Sequence, residues 1–178
     1  MAPPATPARA LLFAGLLLHI SVDRDRIYSI LEGEFGRIAM TSSSFLFTET
    51  DYYTSEMGSD LTRVWLGFRK LIEQDDIVDL KLRTNRLEEG LAVDGKRRVN
   101  LDPGYLTPGK VVLASTKDNQ HRVYLGRGIY GEVTLRYRGG SYRPWEWTYR
   151  DYRREEAVRF FNDLRGHYRS ITAQEQGT

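Results

Sequence analysis

The sequence predicts an α+β fold: a ferredoxin-like βαββαβ core, extended by further antiparallel strands and closed by a C-terminal helix. Three observations lead there. Residues 10–19 form a continuous apolar run, as expected of a strand covered on both faces. Two segments of helical period follow, each with a polar cap before it and a glycine at its end. Beyond residue 97 the apolar stretches are short and separated by Gly and Pro, which reads as strands joined by turns.

Taken in order, the first strand is followed by SVDRDRIYSILEGEFG. Asp23 can cap this helix, Ile27, Ile30, Leu31 and Phe35 share a face, and Gly36 suits a left-handed stop. Residues 37–47 return as a strand, weakened at the serines 42–44, and 62–72 is a second apolar-aromatic strand. The next helix, QDDIVDLKLRTNRLEEG, is capped by Asp75 or Asp76, lined by Ile77, Leu80, Thr84 and Leu87, and ended by Gly90. Asp94-Gly95 turns the chain into a strand at 97–101, completing β-α-β-β-α-β. Strands at 111–115, 121–125 and 129–137 follow. A last helix at about 154–170 turns Ala157, Phe160, Phe161, Leu164, Tyr168 and Ile171 inward. Residues 1–9 read as a disordered leader, 10–171 as one domain, and 172–178 as a disordered tail.

Composition narrows the chemistry. The chain has no Cys, which removes disulfides, thiolate nucleophiles and zinc-thiolate sites. Its net charge of +2 is not that of a polyelectrolyte binder. The charge is uneven: residues 49–80 carry eight acidic and three basic side chains (−5), residues 117–169 twelve basic and seven acidic (+5). That asymmetry either steers an anionic ligand to one side or is neutralised within the fold. The apolar run in MAPPATPARALLFAGLLLHI has signal-peptide length, but no small-x-small site follows and it is too short to span a bilayer. A buried strand and a cytoplasmic protein without a membrane partner are expected.

Two motifs are decoys. GYLTPGK, 104–110, has P-loop spacing, but Val111 stands where Ser or Thr must hold magnesium, and Pro108 removes a backbone donor. GRGIYG, 126–131, matches the dinucleotide fingerprint, but EVTLRY after it alternates like a strand, so the glycines read as a hairpin turn.

The densest polar stretch is RRVNLDPGYLTPGKVVLASTKDNQHR, 97–122. Asp102-Pro103-Gly104 reads as a type II turn. If the three strands around it are neighbours, their polar ends converge on one pocket. His121 would then be the acid-base group, oriented by Asp102 or Asp118. Arg98, Lys117 and Arg122 would hold a phosphate or carboxylate beside Asn100, Ser115 and Thr116. A structural histidine at a turn is the plainer reading of His121. In TETDYYTSEMG, Glu49, Asp51 and Glu56 are oxygen donors, but without EF-hand spacing; a solvated acidic loop over Tyr52 and Tyr53 explains them and no metal site is assigned. RYRGGSYRPWEWTYRDYRR, 136–154, interleaves Arg with rings, as single-stranded nucleic acid would require, or as packed rings under arginine stems would.

The ordered series TDYYTSEMG, KLRTNRLE, KRRVNLDPGYLT, KVVLASTKDNQHRVYLGRGIYGEVTL and WTYRDYR resembles the prokaryotic family catalogued as domain of unknown function 4416. The resemblance covers nearly the whole chain and implies a single-domain cytosolic protein with no assigned reaction, cofactor or catalytic residues. Tyr52, Tyr53, Glu56, Asn100, Asp102, Ser115, Thr116, Lys117, Asp118, His121 and Arg122 lie inside the matching motifs. The expected function is binding of a nucleotide or other anionic small molecule in a pocket on the sheet, with acid-base hydrolase or transferase chemistry open. The alternatives are an RNA-binding module and a structural partner protein.

Overall fold

The structure, a computed structural model, describes residues 1–50 and 52–176; Asp51 and the final two residues of the expected tail lie outside the described residues. Among the described residues one sheet of nine strands runs through the molecule. The strands are β1 (Ala10–His19), β2 (Ile38–Thr41), β3 (Phe45–Leu46), β4 (Leu61–Ile72), β5 (Val99–Thr107), β6 (Lys110–Ser115), β7 (Val123–Gly126), β8 (Ile129–Arg138) and β9 (Ser141–Pro144). The helices are α1 (Arg24–Phe35), α2 (Thr54–Met57), α3 (Ile77–Gly90) and α4 (Glu155–Gln176).

The strand order is β2-β4-β1-β5-β6-β8-β7, with β3 beside β4 and β9 beside β8. Its first four places are the ferredoxin-like core: β1 lies between β4 and β5, antiparallel to both, with β2 outside β4. The hairpins beyond β5 extend this core. β8 shares its outer edge between β7 near residues 129–131 and β9 near residues 135–138.

The buried run of β1 follows from a layer on each face. Leu12, Ala14, Leu16 and Leu18 pack with Ile27, Leu31 and Phe35 of α1 and Ile77 and Leu80 of α3. Leu11 and Phe13 point the other way, onto Trp65 and the Phe160, Phe161 and Leu164 face of α4. Each such side chain removed from water contributes roughly 1.5–3 kcal/mol, so β1 stays apolar until its last residue, the partly exposed His19. Asp23 caps α1 by accepting from the backbone N–H of Asp25 and Arg26, and Gly36 ends it at φ 89°.

Several local expectations are corrected. Asp102-Pro103-Gly104 is not a turn: β5 runs straight through it. The partner strands decide this. A Cβ on Gly104 would lie 2.4 Å from the Phe13 ring and 2.4 Å from the Val112 carbonyl, so glycine is there for close approach. The turn falls instead at Pro108-Gly109, between the paired Thr107 and Lys110. The strand expected at 37–47 breaks into β2 and β3, and Ser42 bridges the break, its hydroxyl accepting from the Trp65 N–H at 2.9 Å. Helix α3 is preceded by a 3-10 turn, Gln74–Asp76, closed by a Glu73–Asp76 capping box, and its C-terminal cap is Leu91 in place of Gly90. Helix α4 runs on to Gln176, where Arg9 meets Glu175 at 2.7 Å. Strand β9 and helix α2 were not expected. Gly126, Arg127 and Gly128, all at positive φ, turn β7 into β8, as the hairpin reading of that decoy required. Among the described residues no helix is long and apolar enough to cross a membrane.

Candidate functional site

A cleft of about 740 Å³ opens where the core meets the extension, on the α4 side of the sheet. The segment after β3 forms one wall with Phe47, Tyr52 and Tyr53, and residues 147–152 form the other. Asp102 of β5, Ser115 of β6 and Lys117 line it from the strand ends.

Arg122 fastens this arrangement. Its Nε donates to Glu132 Oε2 at 2.8 Å, its Nη1 to Ser115 Oγ and the Lys117 carbonyl at 2.9 Å each, and its Nη2 to Tyr149 Oη at 2.6 Å. Charge-assisted bonds to four groups on different segments fix the relative positions of β6, β8 and the 147–152 wall. Arg154 ties the opposite wall, donating to Glu49 at 3.0 Å.

Deeper in lies a second guanidinium. Arg63 of β4 is 4% exposed and pairs with Asp151 at 2.6 Å; Asp102 stands 3.7 Å from its Nη1. Phe47, Trp65 and Tyr152 present rings to it at 5.5, 5.9 and 5.8 Å. Among the described residues its Nε and Nη1 have no hydrogen-bond partner, and neither has the hydroxyl of Tyr152. Burial raises the Asp151 carboxyl above its ordinary value, with Arg63 pulling it back. Burial likewise raises the hydroxyls of Tyr53 and Tyr149.

Of the residues expected to form a pocket, Tyr52, Tyr53, Asp102, Ser115, Lys117 and Arg122 line the cleft. Asn100 stands behind it and donates to Asp102 at 2.8 Å. Glu56 is linked through Arg97, which donates to Glu56 at 2.8 Å and to Asn100 at 3.1 Å. Arg98, Thr116, Asp118 and His121 lie outside it.

His121 and Asp102 share no hydrogen bond or ion pair, because β6 and β8 stand between β5 and β7 in the sheet. The partner of His121 is Glu132, at 3.1 Å from Nε2, and its ring stacks on Trp147 at 5.7 Å. It lines a separate hollow of about 360 Å³ beside α3. Glu49 and Glu56 are paired with different arginines, Arg154 and Arg97, and Asp51 lies outside the described residues. Among the described residues no group of three or more His, Asp or Glu is placed to hold a metal ion.

Sequence reasoning missed Gly15, Arg63, Glu132, Asp151 and Tyr152. One signal was present: Arg63 interrupts the apolar run of β4 and Gly15 that of β1, and a polar or bare position inside a buried strand is the informative exception. Residues 136–154 read either as a nucleic-acid surface or as packed rings under arginine stems; in the fold 147–152 are a wall of the cleft.

No curated protein and no solved structure gives a match to the chain. A family model described as a domain of unknown function, DUF4416, matches residues 8–168, and the chain belongs to that family.

Proposed function

We propose that the cleft binds a small molecule that carries a phosphate or similar anionic group on a flat ring system, with a nucleotide as the best match. The observation that carries this reading is the rim. Among the described residues neither Lys117 nor Arg150, which line it, has a carboxylate partner, and both stand beside the exposed rings of Tyr52 and Tyr149. Lys117 Nζ rests 3.8 Å over the Tyr52 ring, a contact a phosphate can share without removing an ion pair. Arg63 and Arg122, in contrast, are already neutralised by Asp151 and Glu132. Two cations without a carboxylate among the described residues, next to aromatic surface, suit an anion joined to a ring. A cytoplasmic site of action suits such a ligand and the cysteine-free composition.

The nucleic-acid alternative gains less support. Tyr149 apart, the rings of residues 136–154 are engaged with the protein: Trp145 contacts Arg136 at 3.8 Å and stacks on Trp147 at 5.0 Å, and Tyr142 and Tyr152 are buried. A platform for unpaired bases needs free ring faces. Acid-base chemistry through His121 is left out of the proposal, since that ring is held by Glu132 away from the cleft.

The test is a thermal-shift panel of nucleoside monophosphates, sugar phosphates and a single-stranded oligonucleotide. A nucleotide at a hundred times its dissociation constant should add about 2.7 kcal/mol of stability. That corresponds to roughly 5–10 °C for a chain of this size. Lys117→Ala with Arg150→Ala should remove the shift. No shift with any phosphate ligand, or binding of the oligonucleotide alone with a steep loss in salt, overturns the reading.

A further inference from the structure

The nucleotide reading leaves open which end of the ligand enters first, and the floor of the cleft answers differently from its rim. Gly15 of β1 sits between Trp65 of β4 and Asp102 of β5 in the strand register. A Cβ at that position would lie 2.5 Å from the Tyr152 hydroxyl and 3.3 Å from Arg63 Nη1. The bare glycine therefore lets a hydroxyl and a guanidinium settle against the sheet beside Asp102.

The charges there cancel. Arg63 faces Asp151 and Asp102, and Lys81, donating to the Leu101 carbonyl at 3.0 Å, stands 3.7 Å from Asp102 Oδ1. Two cations meet two carboxylates, so a phosphate pushed to the floor would face two like charges with no cation left over. A cationic group would meet Arg63. A neutral polar group is the one the floor accepts.

Its hydrogen-bonding pattern follows from the partners. Asp151 is committed to Arg63 at 2.6 Å, whereas the side chain of Asp102 is 26% exposed and stands 3.7 Å from Arg63, so Asp102 is the floor carboxylate left for a ligand. Oδ2 of Asp102 accepts from Asn100 and lies 3.7 Å from Arg63, and among the described residues Oδ1 has only Lys81, at 3.7 Å. An exposed carboxylate oxygen requires an O–H or N–H donor. Next to it, the unpartnered Arg63 and Tyr152 donors require an acceptor.

Resting on the nucleotide reading, we infer that the ligand binds with its nucleoside end innermost, a neutral edge carrying adjacent donor and acceptor groups on Asp102, and its phosphate outermost between Lys117 and Arg150. The cleft thus has a fixed polarity: the rim selects for charge and the floor selects for the uncharged ring.

Calorimetric titration of the full chain separates the two ends. The probes are the four common nucleoside 5′-monophosphates, their nucleosides and inorganic phosphate. Asp102→Asn should weaken the tightest monophosphate and its nucleoside by the same factor, about tenfold to a hundredfold, and leave inorganic phosphate unchanged. Lys117→Ala should weaken the monophosphate and inorganic phosphate and leave the nucleoside unchanged. Tyr152→Phe removes only an unpartnered hydroxyl, so it keeps the fold and should repeat the Asp102→Asn pattern more weakly. The inference is overturned if Asp102→Asn and Tyr152→Phe leave nucleoside binding intact while Lys117→Ala still weakens the monophosphate. It is also overturned if Asp102→Asn alters phosphate binding, which would place the anion on the floor. Absence of binding by every monophosphate instead removes the nucleotide reading itself, and the inference with it.

Discussion

Arg122 and Arg63 are both buried beside the same cleft, at 8% and 4% exposure, yet they are built to different ends. Each pairs with a buried carboxylate, Glu132 or Asp151. Arg122 commits every nitrogen to the protein and joins three segments. Among the described residues Arg63 leaves two nitrogens without a hydrogen bond, one of them only 3.7 Å from Asp102, and is surrounded by rings. A fully bonded buried cation is a fastener; on the reading proposed above, one held in place with donors to spare serves recognition. A census of ion pairs alone would score the two alike.

The largest effect should come from breaking the fastener. Glu132→Ala leaves the Arg122 charge buried without its counter-ion and should cost about 3–5 kcal/mol, read from the urea midpoint. The comparison sharpens with paired replacements. Arg63→Met with Asp151→Leu removes a pair whose hydrogen bonding is incomplete, and should change stability by less than about 1.5 kcal/mol while abolishing the nucleotide shift. Arg122→Met with Glu132→Leu should cost more, because Ser115, Tyr149 and the Lys117 carbonyl lose their donor as well. Equal costs for the two double variants would break the distinction.

Gly104→Ala tests the strand through the expected turn. With the Val112 carbonyl and the Phe13 ring each 2.4 Å from the added methyl, it should destabilise by about 1–3 kcal/mol. Gly109→Ala, with open space around it, should stay within about 0.5 kcal/mol.

A smaller effect lies in the pH dependence. The folded-state pKa of Asp151 is raised by burial above 3.8, so between that value and its folded pKa the native state holds more protons than the unfolded chain. Its contribution to stability is therefore lost as pH rises through that window. Asp151→Asn lacks this slope, so the stability it loses relative to the parent protein should shrink as pH rises. Smallest of all, Asp79→Ala at the exposed bridge to Arg127 should change stability by at most about 0.5 kcal/mol.

The ferredoxin-like half was legible because its signals are local or periodic. The β1 run, the Asp23 cap and the Gly36 stop depend on neighbours in the chain, and the strand order follows from the alternation of elements. The extension was harder to read where distant residues decide. Asp102-Pro103-Gly104 carries strong turn chemistry, and Phe13 and Val112 override it. His121 and Asp102 looked like partners because their strands are close in sequence, but β8 folds back between β6 and β7 and gives His121 to Glu132. Half of the expected pocket residues do share one cleft. Its floor comes from β1 and β4, whose chemistry shows only as single exceptions in apolar runs, and from the turn before α4, which lies inside the arginine- and ring-rich segment.

The most direct measurement of whether this cleft is an anion site is a titration of the isotopically labelled chain with inorganic phosphate, followed by amide chemical shifts. An anion held at the rim should move the amides of residues 115–119 and 147–151 together, along one saturating curve, and Lys117→Ala should flatten it. Shifts concentrated on residues 136–143, or spread over the surface without saturation, would contradict a binding site between the two walls.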